Sequence, residues 1–396
     1  MAPNPRSIGW ARLSWLPVIV LLGMLVSRPA LASDDLSSVP DPTWMTDGPV
    51  YAMTHLGNTI YLGGRFTQIR QKPLKQGGPF VDVDDLAGVD ATTGGPVEPT
   101  WAPSFNLTGT VYALAPSPDG SMIYLGGDFT ASVGDVTLKN FAAVNAVTGE
   151  VDPSFHPKMG SLVHAILPSA SKLYVGGDFL RVNSRPIRTR LAAFDYSGNL
   201  DPDWTPTADG PVRALAFSSD GTSIFVAGNF ANVSGLPRQS LAKVDPTTGA
   251  VQPWVAGHVD PQEVGFGMAP TPAVLYVGMG GPNNYVAAYD TTTGQQLWRD
   301  HASGNVQAIT LLGTDELIVG GHFLELNQPH DPQDYPRIRL AGVFLDGTID
   351  QDWQPTVSGN FFGPWVLMSN GNQLYVGGQF SNVSGVHQKF FARFTS

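Results

Sequence analysis

The side chains with chemical capacity gather in two short stretches and at one recurring position. Lys72, Lys75, Asp82, Asp84 and Asp85 lie between Gln71 and Asp85, and His330, Asp331, Asp334, Tyr335 and Arg337 lie between Asn327 and Arg339. Carboxylate, imidazole and phenol at that density suit recognition of a polar ligand. Asp82-x-Asp84-Asp85 is spaced like the start of a calcium loop, without the following Gly and distal Glu of an EF-hand. The recurring position is the x of a Gly-Gly-x-Phe motif, filled by Arg65, Asp128, Asp178, Asn229, His322 and Gln379. Two readings compete there. Either these side chains form a ring of donors and acceptors for a ligand, or each satisfies backbone amides where its own loop leaves the strand. Arg65 and His322 depart from the acidic or amide type, and they fall in the two repeats that carry the insertions.

A second set, Asp47, Asp209, Asp260 and Glu263 with His301, lies just before a hydrophobic strand motif in separate repeats. If the repeats are arranged about an axis, these carboxylates converge at its mouth and could hold calcium through oxygen ligands. Otherwise they are solvated surface acids of an acidic chain. No organic cofactor is called for, and calcium is the ion these groups could take. H-E-x-x-H, a P-loop and G-x-S-x-G are absent, and the eight histidines show no metal-ligand spacing. His164 stands inside a hydrophobic strand motif and reads as a packed core residue.

These residues are carried by a unit found seven times. Ile60-Tyr61-Leu62-Gly63-Gly64-Arg65-Phe66 returns at Ile123, Leu173, Ile224, Leu317 and Leu374, with a degraded copy at Leu275 to Gly281. The first small residue of each pair falls at 63, 126, 176, 227, 278, 320 and 377. Before it runs Val-x-Ala-hydrophobic, as at Val50, Val111, Val163, Val212 and Val306, with deviant copies starting at Val264 and Trp365. After it come a strand of the Leu-Ala-x-x-Asp type and a short segment ending in Trp44, Trp101, Phe155, Trp204, Trp254, Trp298 or Trp353. Short β-branched and aromatic runs separated by Asp-Gly and Thr-Gly turns are hairpin chemistry. Repeats of this size made of four antiparallel strands predict an all-β, seven-bladed β-propeller over residues 41–396. The aromatic ending each segment, one per unit, reads as core between blades. The chain starts on an aromatic segment, Asp41 to Trp44, and ends after a third strand, so the N-terminal strand is expected to complete the last blade and close the ring.

Residues 1–32 read as a cleaved signal peptide: Arg6 and Arg12, an apolar run from Leu13 to Val26, and Ala30-Leu31-Ala32 before the cut. Residues 33–40 follow as a short linker. The expected location is secreted or periplasmic, with no membrane span and a monomeric state. Loss of the leader moves the formal charge from −11 to −14, and an acidic chain without a basic stripe argues against nucleic acid. Cysteine is absent, so the core alone must stabilise the fold.

On the Gly-Gly-x-Phe strand, the Leu-Ala-x-x-Asp strand and the Asp-Pro-x-Trp segment, residues 41–396 resemble the delta-60 repeat propellers of exported bacterial proteins. That resemblance implies architecture and brings no catalytic motif. Val286-Ala-Ala-Tyr-Asp290-Thr-Thr-Thr-Gly294 with Trp298 is similar to the blade-docking segment of quinoproteins that use PQQ. Here it implies shared blade mechanics, since the cysteine pair found in many of those enzymes is missing. The expected function is a non-enzymatic binding module that takes a glycan, polymer or protein on the insertion-bearing face. A metal-dependent hydrolase or lyase at the central funnel, and a PQQ oxidoreductase, are the alternatives.

Overall fold

The computed structural model describes residues 36–396 except 73, 98, 99, 102, 104, 105, 184–187, 330, 360 and 361. The leader, its cleavage point and His330 lie outside the described residues. An antiparallel three-stranded meander recurs seven times among them. Its first strands are Val50–Leu56, Thr108–Pro116, Val163–Pro168, Val212–Phe217, Val264–Pro270, Val306–Leu312 and Gly363–Asn370. A second strand such as Thr59–Gly64 and a third such as Leu86–Asp90 complete each unit. The expected fourth strand is a full one only at Gln296–Ala302. In five other repeats a single bridge, such as Val144 to Val151 or Val244 to Val251, holds that segment. Proline explains most of the difference, because Pro96, Pro153, Pro202 and Pro253 cannot donate to a ladder.

The two glycines of each pair have separate duties. A Cβ on the second glycine would lie 2.0 Å from the Pro49 carbonyl oxygen at Gly64, 2.2 Å from that of Leu162 at Gly177 and 2.0 Å from that of Asn305 at Gly321. At these points the first strand presses its backbone onto the second, and the ladder slips by one residue in all seven repeats. The slip is a β-bulge, which re-aims one side chain out of the pleat. A Cβ on the first glycine would instead meet the next repeat: Gly63 would touch Val111 Cγ1 at 2.8 Å, Gly176 would touch Val212 Cγ1 at 2.5 Å, and Gly377 would touch Val50 Cγ1 at 2.8 Å. The last pair joins the seventh repeat to the first. First strands also contact one another in succession, and Gly363–Asn370 contacts Val50–Leu56.

Register corrects the sequence reading in two repeats. Val264 and Trp365 were expected at the Val position, but the slips place Gly265 and Pro364 there. The copy of the glycine pair in the fifth repeat is Gly278-Met279, and Gly265 faces Met279. The fourth repeat has Ala227 as its first small residue, and a Cβ on Gly265 would come within 2.9 Å of the Ala227 Cβ. Gly265 therefore makes room for the alanine of the preceding repeat.

Between repeats the core is aromatic and aliphatic, with Trp204 and Trp353 fully buried. Several Trp edges also donate to the following unit: Trp101 Nε1 to Asn145 O at 3.1 Å, Trp204 Nε1 to Asp245 O at 3.1 Å and Trp298 Nε1 to Leu345 O at 2.9 Å. Trp353 Nε1 donates to Ser37 O at 3.2 Å. The N-terminal segment lies along the last third strand, Phe391–Phe394, with Asp41 N–H on Arg393 O at 2.8 Å and Ser37 N–H on Thr395 O at 3.0 Å. The Arg393 guanidinium bonds Asp41 Oδ2 at 2.8 Å and Thr92 O at 2.9 Å, tying N-terminus, seventh repeat and first repeat together.

The Gly265 arrangement gives a direct test. Gly265→Ala should cost about 1–3 kcal/mol by overpacking against Ala227. Adding Ala227→Gly should return much of that loss, a coupling read from chemical denaturation of the two single variants and the double variant.

Candidate functional site

The seven bulges present side chains of six types: Tyr51, Tyr112, His164, Arg213, Phe266, Gln307 and Trp365. Their neighbours along the strand are Val and Ala in five of the seven repeats, whereas this position varies freely. The side chains meet across repeat boundaries. Ring centroids are 5.0 Å apart for Tyr51 and Tyr112, 5.9 Å for Tyr51 and Trp365, and 6.1 Å for Tyr112 and His164. The exposed ring of Phe362 extends the arc, 5.9 Å from Trp365. Beyond His164, the Arg213 guanidinium lies 5.3 Å from the centroid of Phe266.

The Gly-Gly-x-Phe side chains border this arc, and two of them reach into it. Gln379 Nε2 donates to the Tyr51 hydroxyl at 2.6 Å. Asp178 Oδ1 stands 3.3 Å from His164 Nε2, without the alignment of a hydrogen bond, and 3.9 Å from Arg190. The His164 ring beside Asp178 holds its carboxyl below the usual range, while burial pushes His164 down against the pull of Asp178. His164 is thus half-buried and placed by the bulge beside a carboxylate, where the sequence reading expected core packing. His322 accepts at Nε2 from the Asn305 N–H at 3.4 Å, and burial lowers its pKa. Arg65 and Asp128 are exposed.

The carboxylates proposed as metal ligands are not brought together. Asp47 Oδ1 accepts from the Thr67 and Gln68 N–H groups at 2.8 and 3.0 Å. Asp209 Oδ1 does the same for Ala231 and Asn232 at 2.9 and 3.0 Å, so both fasten the loop that follows Gly-Gly-x-Phe. Asp260 and Glu263 form their own cluster, with Asn283 Nδ2 at 3.3 Å from each and the Tyr285 hydroxyl donating to Glu263 at 2.6 Å. Among the described residues no group of three or more acidic or histidine side chains is placed to hold a metal.

The insertions join different sheets. Gln68–Arg70 pairs with Met45–Thr46 on one side and with Phe80–Asp82 on the other, and Asp82 accepts from Gln68 Nε2 at 2.7 Å. Glu325–Gln328 and Asp331–Pro336 extend the fifth repeat through Ala302 and Leu326. There the Tyr335 hydroxyl donates to Asp331 at 2.8 Å, and Asp334 is exposed. Asp84 is half-buried beside Asp85. Asp47, Arg65 and Asp85 line one groove of about 440 Å³ with Thr67 and Thr108.

Asp85 is a structural residue with repeated counterparts. It sits at φ +64°, takes the Phe66 N–H on Oδ1 at 2.7 Å, and its own N–H returns to Phe66 O at 3.0 Å. Asn140 makes the same side-chain contact to Phe129 at 3.2 Å with φ +65°. Arg190, Ser240, Arg339 and Phe390 repeat the backbone bond at positive φ. The residue types range over Asp, Asn, Arg, Ser and Phe, so no single sequence pattern marks the turn. The quinoprotein-like stretch serves structure in the same way: Asp290 Oδ1 takes the Thr292 and Thr293 N–H groups at 3.0 and 2.6 Å.

No family model matches the sequence, and no curated protein is similar to it in sequence. Among solved structures, the WD40 β-propeller domain of Doa1 is similar over 90% of this chain and 97% of that one, at 12% identity and a TM-score of 0.56. The computationally designed protein Ika8 matches 90% of this chain and 92% of its own, at 13% identity and a TM-score of 0.48. The chain is an all-β protein with a β-propeller fold. No helix among the described residues is long and apolar enough to cross a membrane.

Burial raises the Asp85 carboxyl to about 6. Folding therefore favours its protonated form, a contribution present below about pH 4 and lost as pH rises through about 6. Asp85→Asn, which copies Asn140, should leave stability unchanged near pH 4 and raise it by about 1–3 kcal/mol at pH 8. Thermal melts across that range read the difference.

Proposed function

We propose that this chain is a closed seven-bladed propeller of the delta-60 repeat kind, exported after removal of residues 1–32. Its N-terminal segment completes the last blade. Support for closure comes from the Gly377–Val50 contact, the Trp353 bond to Ser37 and the Arg393 clamp on Asp41. Replacing Asp41 with Ala should then lower stability by about 1–3 kcal/mol, because Arg393 loses its charged partner at a mostly buried site. No change in the melting transition would count against the closure.

The function that the geometry favours is binding without chemistry, as a monomer, of a glycan, polymer or protein. One observation carries this reading. In a scaffold whose strands, glycines and aromatic clamps recur, the bulge residue, like the x of Gly-Gly-x-Phe beside it, changes from repeat to repeat, with only Tyr51 and Tyr112 alike. A position that packing leaves free to vary, yet aims with its counterparts at one another, is suited to recognition. The ligand face is the one where the bulges, the Gly-Gly-x-Phe side chains and the two insertions lie. Calcium enters this reading only as an ion that acidic loops of that face could take.

A glycan array with a pull-down tests it. Tyr51→Ala with Trp365→Ala should reduce capture roughly tenfold or more while the melting midpoint stays within a few degrees. Turnover in an activity screen with no captured partner would remove the reading.

A further inference from the structure

We infer, on the basis of the binding reading above, that the bulge residues take an acidic sugar, with its carboxylate on Arg213 and its ring faces on Tyr51, Tyr112 and Trp365. Arg213 carries the first half of the inference. Its guanidinium is mostly buried and touches the face of Phe266, its Nε has no hydrogen-bond partner, and among the described residues it makes no ion pair within 4 Å. Asp178 attracts it only at longer range and is already engaged by His164 and Arg190. A buried cation without a partner is costly, and a carboxylate that replaces its lost water with charge-assisted bonds removes the cost. Arginine also suits a carboxylate better than a point charge does, because its fork can bond both oxygens.

The second half rests on the remaining bulge residues. Tyr51, Tyr112 and Trp365 form a continuous row of aromatic rings with polar tips. Such faces match the apolar C–H faces of a pyranose, and the tips match its hydroxyls. Two buried atoms in neighbouring repeats have no partner: Trp365 Nε1, a donor, and Gln307 Oε1, an acceptor. The hydroxyls of a sugar can accept from the first and donate to the second. The chain is acidic overall, at −11, yet screening confines that repulsion to about 8–10 Å. Beside Arg213, local charge decides.

The experiment is calorimetric titration of the full chain with tetrasaccharides of galacturonate, glucuronate, mannuronate and guluronate, a neutral galactose tetrasaccharide, and polyglutamate. The inference expects at least one uronate to bind and the neutral sugar to bind roughly tenfold more weakly. Arg213→Gln should remove that preference, leave the neutral sugar unaffected and flatten the salt dependence, whereas Arg213→Lys should keep part of it. Melting midpoints of both variants confirm that they fold. Four outcomes overturn the assignment: no uronate binds, acidic and neutral sugars bind alike, Arg213→Gln leaves the preference intact, or polyglutamate matches the best uronate. If sugars bind alike and the Tyr51 and Trp365 substitutions still abolish binding, the general reading of the site stands and only the acidic ligand falls.

Discussion

Contact between backbones at the second glycine of each pair is the constraint on which this molecule depends. There the first strand approaches the second so closely that a Cβ would lie about 2 Å from a carbonyl oxygen, as at Gly64 and Gly321. The ladder answers by slipping one residue. That slip keeps Val50 and its counterparts pointed between repeats, where the neighbouring first glycine leaves room for a valine methyl. It also frees the intervening side chain from the pleat. Packing between repeats and presentation of the variable residues are two results of one approach of two chains.

Redundancy lets the scaffold absorb departures, provided space is conserved. In the fourth repeat an alanine replaces the first glycine, and in the fifth a methionine replaces the second. The alanine becomes tolerable because Gly265 stands where valine stands elsewhere, and Gly265 is also the residue that faces the methionine. The pair of a small and a branched residue survives with its members exchanged, as close packing requires. Turn chemistry is equally indifferent to residue type. Asp85, Ser240 and Phe390 fill one backbone role because the bond that matters joins main-chain groups.

Against that regular frame, the bulge residues are distinguished by irregularity. Aromatic rings occupy one arc and a cation without an ion pair lies beyond it, with His164 and Asp178 between them. A repeat that needed these side chains for stability would have settled on one type. Loops are less informative here than they first look. Asp47 and Asp209 are held by the amides of their own repeats, and Asp82 and Asp331 bond within their own insertions.

The sequence by itself determined the first three strands of each unit, the turns and the aromatic clamps, because these depend on local propensity and on patterns repeated seven times, whereas the fourth strand it called for is a full one only at Gln296–Ala302. It also marked Gly-Gly-x-Phe as special, with Asp178 and Gln379 among its polar members. What it could not express was the register between first and second strands. A one-residue slip turns the next side chain from buried to presented, and nothing in Val-x-Ala announces it. For that reason His164 read as core, Trp365 read as the wall residue, and Arg213 drew no attention. Tertiary structure decided those places, since a bulge arises only when two backbones are pressed together at a glycine.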